Sequence, residues 1–316
     1  MNCKICNSNQ IKGLDNFIPY SDKEWSFEVL ECQECSTRFV LRDNSVNYHE
    51  ELHSNDDSPY IAHYSMAKNI KTLLDDNLEQ CESILKNKSS VIAKVLKYIS
   101  SKDKNISILE IGCSTGYTTA YIQKIGYTNM LGIDISSSAI DYASSTFGNF
   151  YALKEKEKKY DVIFHTGLIG CVDEPIDFLN HYLNLLTTHG VMFFNAPNVA
   201  SVQETDELWV STPPPDLIYL FEKNVFCKVL DKKYNIVVSN TLTPISILRK
   251  HINRYKNKEN NLYPRTFYKK DKKNVIPANK FFKNMVSSVV NIFVKLKILK
   301  HYSDDYGIIV KIEKHD

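Results

Sequence analysis

The residues best placed to do chemistry form a short glycine-rich turn after an apolar stretch. Residues 108–116 read I-L-E-I-G-C-S-T-G, so an apolar segment ending in an acid continues directly into small residues. Small residues at 112, 114 and 116 let the backbone approach a ligand closely. Residues 117–125 can form a helix whose N-terminus offers unpaired N–H groups. The pattern predicts a strand–turn–helix that binds a small molecule, and an ordinary strand–turn–helix of an α/β domain is the alternative.

Four of the eight cysteines form two C-x-x-C pairs, a spacing typical of metal ligands. The pairs are Cys3 with Cys6 and Cys32 with Cys35, and 25 residues separate them. Four thiolates in two such pairs supply the ligands of a tetrahedral zinc site. Because the four cysteines fill every position, the predicted Zn²⁺ is structural. A redox pair is the alternative, but no thioredoxin-like βαβ pattern surrounds these cysteines.

A second acid follows the glycine-rich turn at a distance suited to a nucleoside ligand. Residues 129–134 read as a strand ending in Asp134, and residues 136–147 read as a helix capped by Ser136. An acid about 20 residues after such a turn can accept hydrogen bonds from both ribose hydroxyls. A solvated strand-end acid is the alternative for Asp134. The turn has the spacing E-x-G-x-S-x-G, which lacks the third glycine of the dinucleotide pattern G-x-G-x-x-G.

This turn resembles motif I of the class I S-adenosylmethionine (SAM) methyltransferases, usually written E/D-x-G-x-G-x-G, with Ser114 at the middle glycine. The segment 132–140 is similar to the family's G-[IVL]-[DE]-x-S-x-x-[AM]-[IV]. The resemblance implies SAM as the cofactor, held by the motif and by the end of the next strand. The implied residues are Glu110, Gly112, Ser114, Gly116, Asp134 and Ile135. Upstream, Tyr64 with Tyr60 and His63 could close over the methionine end of SAM, or they are linker aromatics.

The resemblance covers roughly residues 60–316. Residues 160–163, 173–179 and 196–198 look like the family's FDVI … V-x-D-P-x-x-F-L … PN series. Residues 214–221 are similar to a P-P-D-H-L-Y-Y-F element that begins a late helix, from which Asp216 and Tyr219 could reach an acceptor. Alternating strands and helices predict an α/β fold, a doubly wound Rossmann-like methyltransferase sheet with a small N-terminal zinc ribbon. Ligands of such sheets bind at the carboxyl ends of the strands.

Composition and patterning divide the 316 residues into three regions. We expect a zinc ribbon over 1–42, a linker and N-terminal helices over 43–101, and a SAM-dependent methyltransferase domain over 102–316 with a basic insertion near 249–300. A net charge of +2 gives no global argument for a nucleic acid or membrane partner. No window reaches the apolar length of a membrane-spanning helix, so the sequence predicts a cytoplasmic protein.

His165 is a candidate for the catalytic base. A hydroxyl or acidic C–H acceptor must lose a proton on methylation, and His165 at the end of the predicted fourth strand is one candidate base. A satisfied histidine beneath a helix is the alternative. Family members often carry Glu-His where this chain has Gly170-Cys171, and His where it has Leu217. Either catalysis uses another group or the chain has lost it.

The resemblance implies a small-molecule acceptor, particularly a sugar or nucleotide-linked sugar in surface-polysaccharide or natural-product biosynthesis. Residues 249–273 are strongly basic and carry interleaved aromatics, a pattern that also suits phosphate-rich partners. An RNA methyltransferase is therefore one alternative, although the low net charge makes a nucleic acid partner less favoured. A non-catalytic SAM-binding protein is another. Residues 281–299 place apolar side chains on one helical face, which suits peripheral membrane contact or packing within the protein.

Overall fold

The computed structural model describes the chain in six ranges of residues. The described residues are 1–18, 25–42, 60–203, 208–209, 214–240 and 307–315. The basic insertion predicted near 249–300 and the amphipathic segment 281–299 lie outside these residues. Among the described helices, none combines the length and the apolar character needed to cross a membrane.

Eleven strands and eight helices are formed by the described residues. The strands are β1 (Ile11–Phe17), β2 (Phe27–Cys32), β3 (Arg38–Val40), β4 (Ile108–Ile111), β5 (Met130–Ile133), β6 (Tyr151–Ala152), β7 (Tyr160–His165), β8 (Leu186–Ala196), β9 (Tyr219–Leu220), β10 (Tyr234–Asn240) and β11 (Ile308–Lys314). The helices are α1 (Tyr60–Asp76), α2 (Leu78–Lys88), α3 (Ser90–Ile99), α4 (Tyr117–Lys124), α5 (Ser137–Phe147), α6 (Pro175–Asn184), α7 (Ala200–Gln203) and α8 (Val225–Val229).

The larger sheet has seven strands in the order β10-β11-β8-β7-β4-β5-β6. The pairs β4–β5, β5–β6, β4–β7 and β7–β8 are parallel, whereas β11 runs antiparallel to both of its neighbours. The chain passes outward from β4 to β6 and then returns to β7 on the other side of β4. The order therefore reverses between β4 and β7, where open α/β sheets bind ligands at the carboxyl ends of the strands. The predicted doubly wound sheet is confirmed.

Each face of this sheet carries its own apolar layer, because successive strand residues point to opposite faces. On β8, Val191 and Phe193 pack with the buried residues of α1, α2, α3 and α4. Met192 and Phe194 pack instead with residues of α6 and α8. The second layer also contains the buried residues of the N-terminal ribbon. The ribbon and the sheet thus share one apolar core.

The smaller sheet joins the ribbon to a strand from far along the chain. Its order is β1-β2-β3-β9, with every pair antiparallel. Arg38 pairs with Leu220 and Phe39 pairs with Tyr219. The late helix predicted to begin within 214–221 is wrong: residues 214–216 form a turn, β9 follows, and α8 begins only at Val225. The free edge of β3 supplies the backbone partners that make this segment a strand.

Candidate cofactor and metal sites

The glycine-rich turn after β4 is folded back against the end of β5. The N–H groups of Gly112 and Cys113 both donate to the carbonyl of Ile133, at 2.8 and 2.9 Å. Gly112, Ser114 and Gly116 have φ values of +71°, +50° and +79°. Left-handed backbone costs a glycine little and a serine more. The turn is therefore tight, and α4 begins directly after it at Tyr117.

Two glycines of the turn are required because neighbouring side chains occupy the space of a Cβ. A Cβ on Gly116 would lie 2.5 Å from a ring carbon of Tyr151, and one on Gly112 would lie 2.8 Å from Leu168. The Tyr151 hydroxyl also donates to the Gly116 carbonyl at 2.7 Å. Sequence reasoning did not identify Tyr151, because its position at the start of β6 becomes informative only when β6 lies beside β5.

Asp134 connects the turn to the start of α5. One carboxylate oxygen accepts the Ser114 N–H at 2.8 Å, and the other accepts the Ser136 N–H at 3.0 Å. The next residue, Ile135, is 94% exposed although its side chain is apolar. The Ser114 hydroxyl is buried and has no hydrogen-bond partner among the described residues. Three groups that could contact a ligand therefore follow the carboxyl ends of β4 and β5. They are the Asp134 carboxylate, the exposed side chain of Ile135 and the unpaired Ser114 hydroxyl.

Glu110 lies beneath the turn and is buried. Its Oε2 accepts a hydrogen bond from the Thr119 hydroxyl of α4 at 2.6 Å. Burial raises the pKa of Glu110 to about 8, and the hydrogen bond from Thr119 opposes part of that rise. The carboxyl group thus ties the end of β4 to the first turns of α4. Thr119 was not identified from the sequence, because only the helix register places its hydroxyl over β4.

Helix α1 lies across the glycine-rich turn. The Thr115 hydroxyl donates to the His63 carbonyl at 3.1 Å, and the rings of His63 and Tyr117 are 6.3 Å apart. Tyr64 contacts Tyr142 of α5 edge to face, with ring centroids 4.6 Å apart. The structure therefore brings His63 next to the turn, whereas Tyr64 contacts α5.

His165 is enclosed by aromatic rings at the end of β7. It stacks on Phe194 at 5.1 Å and meets Phe178 edge to face at 5.5 Å. Burial lowers the pKa of His165 to about 3, so the ring is neutral at pH 7. Neither ring nitrogen has a hydrogen-bond partner among the described residues. The burial and the low pKa of His165 favour a packing role for this ring over the catalytic role that the sequence predicted.

Two departures from the family pattern lie beside each other in space. A Cβ on Gly170 would lie 2.4 Å from a methyl group of Leu217 and 2.9 Å from the ring of Pro197. Leu217 is buried, so a glutamate at position 170 would not fit beside it. The two positions at which the chain departs from the family pattern, 170 and 217, are therefore in contact, and neither carries a polar side chain. The sequence showed both departures without showing that they touch.

The four predicted metal ligands converge at one end of the ribbon. All four Sγ atoms lie within 4.8 Å of one another, with Cys3 to Cys35 at 3.7 Å and Cys6 to Cys32 at 3.5 Å. Tetrahedral zinc with Zn–S bonds of about 2.3 Å places its sulfurs about 3.8 Å apart. The cluster therefore matches the size of a four-thiolate zinc site. Burial raises the pKa of the Cys6 thiol to about 11, an effect that a bound cation would reverse.

Comparison with known proteins agrees with this geometry. Residues 84–235 match the sequence model of a family described as Methyltransferase domain. Malonyl-[acyl-carrier protein] O-methyltransferase 1 of Ilyobacter polytropus is 23% identical over 178 residues, which are 52% of this chain and 64% of that protein. The mitochondrial ubiquinone biosynthesis O-methyltransferase of Dictyostelium discoideum is 21% identical over 179 residues, 44% of this chain and 54% of that protein. The chain thus spans between half and two thirds of the length of these relatives.

Two solved structures align with this chain at low sequence identity. The plantazolicin methyltransferase BpumL, bound to a triazolic desmethylPZN analog and S-adenosylhomocysteine (SAH), has a TM-score of 0.43 at 14% identity. The alignment covers 85% of this chain and 95% of BpumL. The N-methyltransferase NodS of Bradyrhizobium japonicum, bound to SAH, has a TM-score of 0.43 at 12% identity. That alignment covers 87% of this chain and 100% of NodS.

The strand order places the turn after β4 and the acid after β5 at the carboxyl ends of neighbouring strands in a mixed α/β fold whose central sheet is largely parallel. The match over residues 84–235 is more specific. Residues 84–235 therefore resemble a methyltransferase domain, and they are preceded by a cysteine cluster compatible with a zinc ribbon.

Proposed function

We propose that this chain transfers the methyl group of SAM to a small-molecule acceptor, and more specifically to a sugar or nucleotide-linked sugar. The observation that carries the first part is the junction of the glycine-rich turn with Asp134, in a methyltransferase domain. The sugar class comes from the sequence resemblance. The relatives are named for malonyl-acyl-carrier protein and for ubiquinone biosynthesis, so an acyl-carrier-bound or quinone-type acceptor is the competing proposal.

The residues along the edge of β4 and β5 fit the parts of SAM. Gly112 and Gly116 allow the left-handed backbone of the turn, and the unpaired Ser114 hydroxyl offers a polar group. The Asp134 carboxylate suits the two ribose hydroxyls, and the exposed side chain of Ile135 suits an apolar ring face. Further residues proposed for the cofactor are Glu110 beneath the turn and Tyr64 on the covering helix.

When bound, SAM supplies a methyl group activated by its positive sulfonium. The protein's own task is to orient the acceptor in line with that methyl group and to keep water away. Helix α1 serves the second purpose in this proposal, because the bond from Thr115 to the His63 carbonyl holds it across the turn. The role of His165 as the base stays a prediction, and its burial against Phe178 and Phe194 favours a packing role. The ribbon cysteines Cys3, Cys6, Cys32 and Cys35 are proposed to hold a structural Zn²⁺.

Calorimetric titration with SAH tests the cofactor proposal. We expect Asp134→Ala to weaken SAH binding by more than about tenfold, which corresponds to about 1.4 kcal/mol. Asp141→Ala is the matched control, because Asp141 is an exposed acid of α5 and its loss changes net charge equally. Equal SAH affinity in the wild type and the Asp134→Ala variant would refute the assignment.

Incubation with isotopically labelled SAM and mass spectrometry test the acceptor. We would offer separate pools of nucleotide-linked sugars, malonyl-acyl-carrier protein and RNA. Label in the sugar pool supports the specific proposal, and label in either other pool replaces it with that acceptor class. SAH binding without turnover in any pool would favour a non-catalytic SAM-binding protein.

A further inference from the structure

Arg42, the last residue of the ribbon, reaches two loops that lie far along the chain. Its Nε donates to the carbonyl of Pro215 at 2.8 Å, and its Nη2 donates to the carbonyls of Cys171 at 2.9 Å and Asp216 at 3.2 Å. Its Nη1 meets the Asp173 carboxylate at 3.3 Å. The guanidinium fork thus bonds both loops at once, a geometry that a lysine ammonium does not reproduce.

Backbone bonds connect the same two loops at their next residues. The N–H groups of Ile218 and Tyr219 donate to the carbonyl of Gly170, at 2.7 and 3.1 Å. The Tyr219 hydroxyl donates to the Asp173 carbonyl at 3.1 Å. The Val40 N–H of the ribbon donates to the Ile218 carbonyl at 3.1 Å. Ribbon and loops therefore form one network, in which Arg42 contributes the charged member.

The location of this network relates it to the site. The first loop follows β7, and β7 begins the half of the sheet opposite β4 at the point where the strand order reverses. Such a crevice binds its ligands between the loops of its two halves. The glycine-rich turn belongs to the β4 half and is assigned to SAM. The loop after β7 therefore faces the acceptor half of the crevice.

We propose that Arg42 is a positioning residue, which fixes the loop after β7 against the turn at 214–216 so that the ribbon sets the acceptor-side wall. The assignment of this wall to the acceptor rests on the proposed function. The contact itself does not. Arg42 acts on substrate only through the loops, and it leaves the SAM side of the crevice unchanged.

Hydrogen–deuterium exchange of the full-length protein tests this, measured with and without SAH. In Arg42→Ala we expect the amides of Ile218 and Tyr219 to exchange at least about tenfold faster, since their bonds to Gly170 open more often. Peptides spanning 108–116 should be unchanged, and the Kd for SAH should stay within about twofold. Asp173→Asn is the control, because it removes only the ion pair to a 68% exposed carboxylate and keeps the carbonyl contacts.

Chemical rescue separates positioning from a general loss of folding. Guanidinium at about 10 mM should restore slow exchange in Arg42→Ala, because the ion replaces the missing fork. Arg42→Lys, which keeps the charge and serves if the alanine variant does not fold, should also exchange fast and should not respond to guanidinium. Wild-type exchange in either Arg42 variant would overturn the proposal. Failure of the wild type to bind SAH would instead refute the proposed function and leave the exchange result standing.

Discussion

At the scale of single residues, the protonation of buried Glu110 makes the stability of the fold depend on pH. Burial raises the pKa of Glu110 to about 8, from an ordinary value of 4.5. Between these values the folded chain holds a proton that the unfolded chain releases. The favourable contribution of this proton to stability is complete below pH 4.5 and is lost as pH rises through about 8.

Replacing Glu110 by glutamine should remove this dependence on pH. The amide is neutral at every pH, and its oxygen can still accept the hydrogen bond from Thr119. We expect the free energy of unfolding of the wild type, relative to Glu110→Gln, to fall as pH rises from 5 to 8. Urea denaturation at three pH values measures it. A constant difference across the range would show that Glu110 titrates as an exposed acid.

A second prediction at this scale concerns His165. Phenylalanine has a similar shape and would remove two buried nitrogens that lack partners among the described residues. Replacing an unpaired buried polar group by an apolar ring of similar volume is close to neutral or stabilising. We therefore expect His165→Phe to keep its melting temperature, its SAH affinity and its turnover with the acceptor found by labelling. Lost turnover with retained SAH affinity would instead support His165 as the base.

At the scale of elements, the two left-handed glycines Gly116 and Gly167 allow a direct comparison. Both have φ of +79°, but a Cβ on Gly116 would meet Tyr151 at 2.5 Å, whereas one on Gly167 would meet nothing within 4 Å. Gly167→Ala should cost only the backbone term of about 1 kcal/mol. Gly116→Ala should cost clearly more and also weaken SAH binding, because the ring must move. Equal losses of unfolding free energy would show that close packing at the turn is unimportant.

The sequence predicted those elements whose signals are local. Strand β7 ends at His165, as predicted, and Ser136 caps α5 by accepting the Ala139 N–H. Strand β9 was mistaken for the start of a helix, because its partner β3 lies about 180 residues earlier and no local periodicity reveals it. The contact between Gly170 and Leu217 was hidden for the same reason.

At the scale of the whole molecule, the ribbon is packed into the methyltransferase domain. It contributes Phe27, Phe39 and Val40 to the apolar layer that contains Phe194 of β8 and Phe226 of α8. It also pairs with β9 through β3. A domain that folds alone would bury its own core and meet its neighbour across a more polar surface. The apolar core is therefore continuous across the boundary that the sequence predicted at residue 42.

Metal removal should consequently affect the whole fold. Structural zinc contributes roughly 10–16 kcal/mol to small zinc domains, which is as large as the usual stability of about 5–15 kcal/mol for an entire domain. We expect one zinc per chain by elemental analysis, and one calorimetric transition whose midpoint falls on chelation or in Cys35→Ser. Cys227→Ser is the control, because Cys227 is exposed and lies outside the cluster.

If chelation instead produced two separate transitions, with SAH affinity and the exchange of residues 217–221 unchanged, the ribbon would be an independent unit. A single transition that carries SAH affinity with it would show that the four cysteines stabilise the methyltransferase domain itself, because β9 cannot keep its pairing once β3 unfolds.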